Sequence, residues 1–161
     1  MVYIGGVGST TRSAALAVAA LLIAGCAGDP KPKPTEVKGS VEASANVNPS
    51  VSQRASPVML RIYELKTAAA FNSADFVSLY QRDQAELAAD LVAREEMVLA
   101  PGESRPYAKT LAPETRFIGV MAAFRDVERA KWRSIVAVQL GQKQNLAIRA
   151  DALTVSAVIS K

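Results

Sequence analysis

From Gly39 to its end the chain is a series of short stretches in which apolar residues recur at every second position, divided by Pro, Gly and Asn turns. That spacing constrains the fold more than any other feature, because a period of two is the period of a strand. Val41, Ala43, Ala45 and Val47 alternate with Glu42, Ser44 and Asn46, which predicts a first strand with one apolar and one polar face. Asn48-Pro49 stops it, and the polar stretch through Ser56-Pro57 reads as a loop. Val58 to Lys66 carries apolar side chains on both sides, as expected for a strand buried on both faces. Glu95–Leu99 and the stretch from Arg105 to Leu111 flank the Pro101-Gly102 turn and read as a hairpin. Thr115 to Phe124 reads as a central strand, with Gly119 marking a bulge or a tight backbone approach. Trp132–Leu140, Asn145–Arg149 and Leu153–Ile159 complete eight strands. So many short strands on short connections predict a mainly β fold, an antiparallel two-sheet β-sandwich.

One segment breaks the alternation. Between about residues 72 and 94, after the second strand, apolar residues fall at helical spacing, with Phe76, Leu79 and Tyr80 in a first stripe and Leu87 and Leu91 in a second. Asn72 with Asp75, and Asp83 with Glu86, have the spacing of N-terminal caps, so two short helices in series are expected, with Phe71 as a hydrophobic staple before them. Aromatic stripes at this spacing face a core.

The beginning of the chain reads as an export signal, residues 1–25. Ala14 to Gly25 is small and apolar, too short for a bilayer-spanning helix but suited to a signal-peptide core. It ends in Ile23-Ala24-Gly25-Cys26, which resembles a bacterial lipobox, and Cys26 is the sole cysteine. The resemblance implies processing and lipidation at Cys26, so that the acyl chains fix the protein to a membrane. Ala27, and not Asp, follows Cys26, which by the same resemblance addresses the lipid anchor to the periplasmic face of the outer membrane. Residues 26–38 form the expected tether: Asp29 to Lys38 alternates Pro30, Pro32 and Pro34 with lysines, a pattern that blocks helix and sheet and favours an extended spacer. About ten such residues reach roughly 30 Å. Residues 39–161 then form the sandwich domain.

Composition removes several classes of chemistry. The 161 residues include no His, so no Ser-His-Asp triad, Cys-His pair or His-ligated zinc site can form. One thiol permits neither an internal disulfide nor a Cys-x-x-Cys motif. Among the carboxylates, Glu95 and Glu96 are adjacent and point to opposite faces of a strand, while Asp126 and Glu128 fall in a charged turn. Neither makes the facing pair that glycoside hydrolysis needs. No catalytic residue, metal ligand or cofactor is expected. The net charge of +4 comes without a basic run or a basic stripe spaced by aromatics, so no nucleic-acid partner is expected. Arg125-Asp126, and Arg133 beside Trp132, read as a surface salt-bridge network supporting a core Trp, or as an interface hot spot. Three classes remain, in this order: an anchored adaptor without catalysis, a periplasmic ligand-binding lipoprotein with a pocket between the helical insertion and the sandwich, and a cell-wall enzyme, which would need activity lost on changing a specific carboxylate.

Several local features occur together in one order: the lipobox, Asn48-Pro49, the Arg54 to Pro57 loop, Arg61-Ile62-Tyr63-Glu64-Leu65-Lys66, Phe71, Ala74-Asp75-Phe76, Leu79-Tyr80, Asp90-Leu91, Pro101-Gly102, Gly119-Val120, Ala123-Phe124-Arg125-Asp126 and Trp132-Arg133. In this combination the chain resembles the TssJ family, the outer-membrane lipoproteins of the type VI secretion system. The resemblance implies a transthyretin-like sandwich with a helical addition. It also implies binding to the periplasmic C-terminal region of the inner-membrane protein TssM, within a complex of TssJ, TssL and TssM, and no small-molecule substrate. In that family the loop between the first two strands contributes to TssM binding. Carried onto this chain, the loop is Asn48, Pro49, Ser50, Val51, Ser52, Gln53, Arg54, Ala55 and Ser56, with Gln53 and Arg54 the foremost candidates. The family pattern has Gly-Arg-Pro before Ser-Pro, whereas Gln53-Arg54-Ala55 stands here. That departure implies a less rigid loop, or one matched to a different partner surface.

Overall fold

The computed structural model describes residues 1–3, 5, 6 and 32–161. The signal segment and Cys26 therefore lie outside the described residues, apart from the first few positions. Pro32–Lys161 is a compact unit by itself, and everything below concerns that unit.

Its strands are β1 (Thr35–Ala43), β2 (Val58–Leu65), β3 (Leu91–Leu99), β4 (Ser104–Leu111), β5 (Phe117–Ala123), β6 (Arg133–Ala137), β7 (Lys143–Asp151) and β8 (Thr154–Ser160). They form two four-stranded sheets in the orders β4-β1-β7-β8 and β3-β2-β5-β6. Between β2 and β3 lie helices α1 (Ala69–Ser73) and α2 (Phe76–Leu87) and a 3-10 turn at Ala88–Asp90. The expected two-sheet sandwich with a helical insertion is thus the observed fold. Adjacent strands are antiparallel except β1 and β7, which run parallel.

The structure changes the sequence reading at four main points, besides shifts of a few residues at other strand ends. The first strand starts at Thr35, inside the stretch assigned to the tether, and ends at Ala43, with a turn at Ala45–Asn46. After Pro34 no proline removes a donor, so Thr35 to Ala43 can pair with β4 on one side and β7 on the other. The expected β3–β4 hairpin does not form: Pro101-Gly102 is a corner that carries the chain from one sheet to the other, so the two strands pair with β2 and β1 instead. The insertion occupies residues 69–90, earlier than 72–94, and Leu91 already belongs to β3. Finally, neither expected cap, Asn72 nor Asp83, holds, and Asp75, expected as the acid three residues after a cap, is itself the cap of α2. Asp75 accepts a hydrogen bond from Ser78 N at 2.9 Å, but Asn72 sits inside α1 and the Asp83 side chain turns to the sheet.

The strand period explains both cores. On β2, Val58, Leu60 and Ile62 point between the sheets, where they join Val37, Val41, Val120, Leu146 and Ile148, all buried. The alternate residues, Tyr63 and Leu65, point the other way and pack under the insertion with Phe71, Leu79, Leu87 and Met121. At Gly119, a methyl group would lie 3.1 Å from the Phe71 ring and from Leu65 Cδ1, so the glycine lets Phe71 close on the sheet. This interface is filled, and the pocket considered between insertion and sandwich is not formed there.

Polar groups fasten the insertion. The α2 backbone leaves the helical region at Arg82 (φ −141°). Near that break Arg61 Nη1 donates to the carbonyls of Leu79 and Tyr80 at 3.1 and 2.8 Å, replacing lost helical donors. Buried Asp83 accepts from Tyr63 OH at 3.1 Å and from Arg94 at 2.9 Å, with Arg61 at 3.3 Å. Burial, and next the Asp83 charge, hold the Tyr63 phenol well above its ordinary value. Arg133 donates to Phe71 O and Ala74 O at 3.0 and 2.6 Å, and its guanidinium lies 4.8 Å from the Trp132 ring centroid. The expected Arg133–Trp132 support is therefore a stacking and carbonyl-capping arrangement, not an ion pair.

Candidate functional site

The loop from Asn48 to Ser56 connects the inner strands of the two sheets, β1 and β2, at one end of the sandwich. Its conformation begins with Asn48, which is buried and has a positive φ of 50°. Asparagine tolerates this left-handed region better than most residues. Asn48 N donates to Ala152 O at 2.9 Å, its side-chain amide donates to Pro57 O at 2.7 Å, and its side-chain oxygen accepts from Arg125 N at 2.8 Å. One residue thereby joins the loop to the β5–β6 connection and to the β7–β8 turn. Ser56 N donates to Val47 O at 3.1 Å and closes the base of the loop.

The tip is held by its own backbone. Ser50 N donates to Arg54 O at 2.8 Å, Gln53 N donates to Ser50 O at 2.9 Å, and Arg54 N donates to Ser50 Oγ at 3.2 Å. Gln53 has φ of 61°, so it occupies the left-handed conformation at the place where the family pattern carries Gly. The turn is kept at a strain of about 1 kcal/mol. Val51, Ser52, Gln53 and Arg54 are exposed, and Pro49, Ser50, Ala55 and Ser56 are partly covered. Val51 is fully exposed, at 103%, an apolar side chain presented to solvent at the tip. Both foremost candidates, Gln53 and Arg54, thus stand on the outer side of the turn.

The sequence reading offered Arg125-Asp126 as a salt-bridge network or an interface hot spot but did not place it beside the loop. Pro49 to Gln53 and Arg125 to Arg129 line one open depression of about 1140 Å³, together with Ala152 and Leu153. Asn48 and Arg125 are 77 residues apart, and no local pattern links them. Asp126 pairs with Arg129, an arrangement that draws the Asp126 carboxyl below its ordinary value. Arg125 reaches Ser56 Oγ at 3.4 Å, and among the described residues neither Arg54 nor Arg125 has a carboxylate partner.

The opposite end of the sandwich receives the chain from its N-terminal side. Thr35 is next to Leu111 and Glu36 next to Lys143, and a methyl group on Gly141 would lie 3.5 Å from Lys33 Cβ. Nine residues of β1 separate this end from the loop, a span of roughly 26 Å at about 3.3 Å per residue. Among the described residues there is no cluster of three or more His, Cys, Asp or Glu placed to hold a metal ion. No described helix is long and apolar enough to cross a membrane. Cys26, the expected lipidation site, lies outside the described residues.

Comparison with known proteins agrees with this architecture. The family profile T6SS-SciN, described as type VI secretion lipoprotein, VasD, EvfM, TssJ, VC_A0113, matches residues 35–153. The crystal structure of the T6SS lipoprotein TssJ1 from Pseudomonas aeruginosa is 39% identical, with a TM-score of 0.77, over 80% of this chain and 98% of that one. The structure of Serratia marcescens Lip, a membrane-bound component of the type VI secretion system, shares the fold at 22% identity and a TM-score of 0.71, over 78% of this chain and 98% of that one. A chain of a type VI membrane complex matches at 26% identity and a TM-score of 0.67, over 77% of this chain and 98% of that one. A search of curated proteins finds no match. The profile match spans the sandwich from the first residue of β1 to the β7–β8 turn, and this chain belongs to the TssJ family of type VI secretion lipoproteins.

Proposed function

We propose that this lipoprotein is an outer-membrane-anchored adaptor. Lipid on Cys26 holds it to the periplasmic face of the outer membrane, and the Asn48–Ser56 loop binds the periplasmic C-terminal region of a TssM partner within a TssJ, TssL and TssM complex. The observation that carries the reading is a further structural match. A chain in the structure of the T6SS protein TssM C-terminal domain from EAEC is 27% identical, with a TM-score of 0.62, over 76% of this chain and 99% of that one. The match to a chain of a type VI membrane complex supports the same reading.

The geometry suits the task. An adaptor needs a rigid body, an anchor at one end and a presented surface at the other, and it needs no reaction. The loop is stiffened by its own hydrogen bonds and by Asn48, so little conformational entropy is lost when a partner docks. Its tip offers Val51 and Arg54, an apolar contact and an unpaired guanidinium, within an interface of about 800 Å² per partner. The ligand-binding alternative has no support from the insertion, whose contact with the sheet is packed with Phe71, Leu79 and Met121.

The test is the affinity of the Pro32–Lys161 unit for the purified periplasmic region of the cognate TssM, with and without Arg54→Glu. A fragment starting at Gly39 would lose half of β1 and is unsuitable. Specific binding that Arg54→Glu weakens about thirtyfold is expected, a loss of about 2 kcal/mol. Absence of binding by the unaltered unit would refute the adaptor reading, whereas binding indifferent to Arg54→Glu would move the contact away from the loop tip.

A further inference from the structure

We infer that the partner is gripped between two walls, and that the β5–β6 connection, Arg125 to Arg129, is the second of them. The occupant is an extended segment of the TssM-type partner that sets an apolar side chain against Val51, Val127 and Leu153 and a carboxylate against Arg125. This rests on the adaptor reading above and specifies what it binds.

Three observations carry it. First, the two walls are built as one object: buried Asn48 accepts the Arg125 N–H, donates to Pro57 O and bonds Ala152 O, so both walls and the β7–β8 turn share a single residue. Side chains of a bare loop would need no such tie. Second, the lining of the depression is mixed: Val51, Val127, Ala152 and Leu153 give it apolar contacts among polar Ser50, Ser52, Gln53 and the charged residues of the connection, and Val51 is fully exposed and free to be covered by a partner's apolar side chain. Third, the charge at its rim is uneven. Asp126 is neutralised by Arg129, and Arg125 has no carboxylate partner among the described residues. Neither has Arg54, which follows the lining residue Gln53 in the chain without itself lining the depression. Against these stands the carboxylate of Glu128, likewise outside any ion pair among the described residues. An incoming acidic group completes that pairing. The depression is open to solvent, which lets a partner chain lie across it.

The second wall can be tested apart from the first. Arg125 meets Asn48 through its backbone N–H, so side-chain changes leave the tie intact, and Val127 is partly exposed on a connection. Affinity for the TssM periplasmic region is measured for the unaltered Pro32–Lys161 unit, Arg54→Glu, Arg125→Glu and Val127→Asp, with thermal unfolding of each. Arg125→Glu and Val127→Asp are each expected to weaken binding at least tenfold at unchanged melting temperature, and Arg125→Gln to flatten the salt dependence of the affinity. If Arg54→Glu weakens binding while Arg125→Glu and Val127→Asp change it less than twofold, the two-walled grip is wrong and the loop alone makes the contact. If the unaltered unit does not bind, both the grip and the adaptor reading fall.

Discussion

Gly39 and Gly102 show how differently one residue type can be required. At Gly102 φ is 78° and nothing lies within 4 Å of the place a methyl group would take, so the requirement is conformational. At Gly39 the same methyl group would stand 1.9 Å from Leu146 O on the parallel neighbour, a backbone atom that cannot swing away. Gly39→Ala is therefore expected to cost about 3 kcal/mol or more, since β1 and β7 must part. Gly102→Ala should cost about 1–2 kcal/mol, the strain of a left-handed alanine. Urea unfolding of both variants checks this, and equal losses would mean that the β1–β7 approach is looser than described. At this scale the sequence was partly legible. Gly119 could be read as a tight approach because a glycine inside an apolar strand has few other reasons to be there. Gly39 was taken only as the start of a domain, because its crowding comes from Leu146, more than a hundred residues away. Asn48 was legible as a stop and as a loop residue, but its bonds to Arg125 and Ala152 were not, for the same reason.

Elements were legible where one face had one environment. β2 was read as buried on both faces, and the structure supplies the two cores that make it so, between the sheets and under the insertion. The β3–β4 pair was misread because Pro101-Gly102 turns a chain sharply whether it folds back into the same sheet or crosses to the other. The crossing leaves β3 and β4 as edges of different sheets, and a polar cluster closes the gap. Glu64 on β2 pairs with Lys109 Nζ on β4 at 2.9 Å, and Lys109 also pairs with Glu95 on β3. Glu64 accepts from Thr115 Oγ1 at 2.7 Å and from Ala112 N at 3.1 Å as well. Burial alone would raise the Glu64 carboxyl, but the bonds from Lys109, Thr115 and Ala112 outweigh it and hold the group below its ordinary value of 4.5. A carboxylate lowered in the folded state stabilises the fold above the unfolded value and loses that contribution as pH falls through the folded one. Stability should therefore drop as pH is taken below about 4.5. Glu64→Gln should lower stability by about 1–3 kcal/mol at pH 7 and make the fall below pH 4.5 shallower. Urea unfolding at pH 7, 4.5 and 3.5 measures both, and parallel pH profiles for variant and parent would assign the acid sensitivity to other carboxylates.

For the whole molecule, the parallel β1–β7 pairing is what sets its polarity, and it was the least legible feature, since it joins segments more than a hundred residues apart and needs a crossover that no local signal announces. Because β1 starts beside the entering Pro32–Pro34 segment and ends before the loop, the chain arrives at one end of the sandwich and the proposed site stands at the other. The C-terminus lies at the arrival end too, with Lys161 O accepting from Asn145 at 3.4 Å. The point where the chain enters the sandwich and the proposed contact surface are in this way separated by the length of β1, roughly 26 Å, and removing a lipid from Cys26 is expected to leave the contact untouched. Cys26→Ser in the full chain is accordingly expected to move the protein out of the membrane fraction, while its affinity for the TssM periplasmic region stays within about twofold of the lipidated form in detergent. In cells that substitution should abolish secretion, because binding without an anchor leaves the partner unattached to the outer membrane. Density-gradient separation of the parent protein should place it with the outer membrane, as Ala27 after Cys26 implies. Retention of Cys26→Ser in the membrane fraction in the absence of TssM would show that something other than the cysteine lipid anchors the chain, and a large change in affinity would show that anchor and site are not independent.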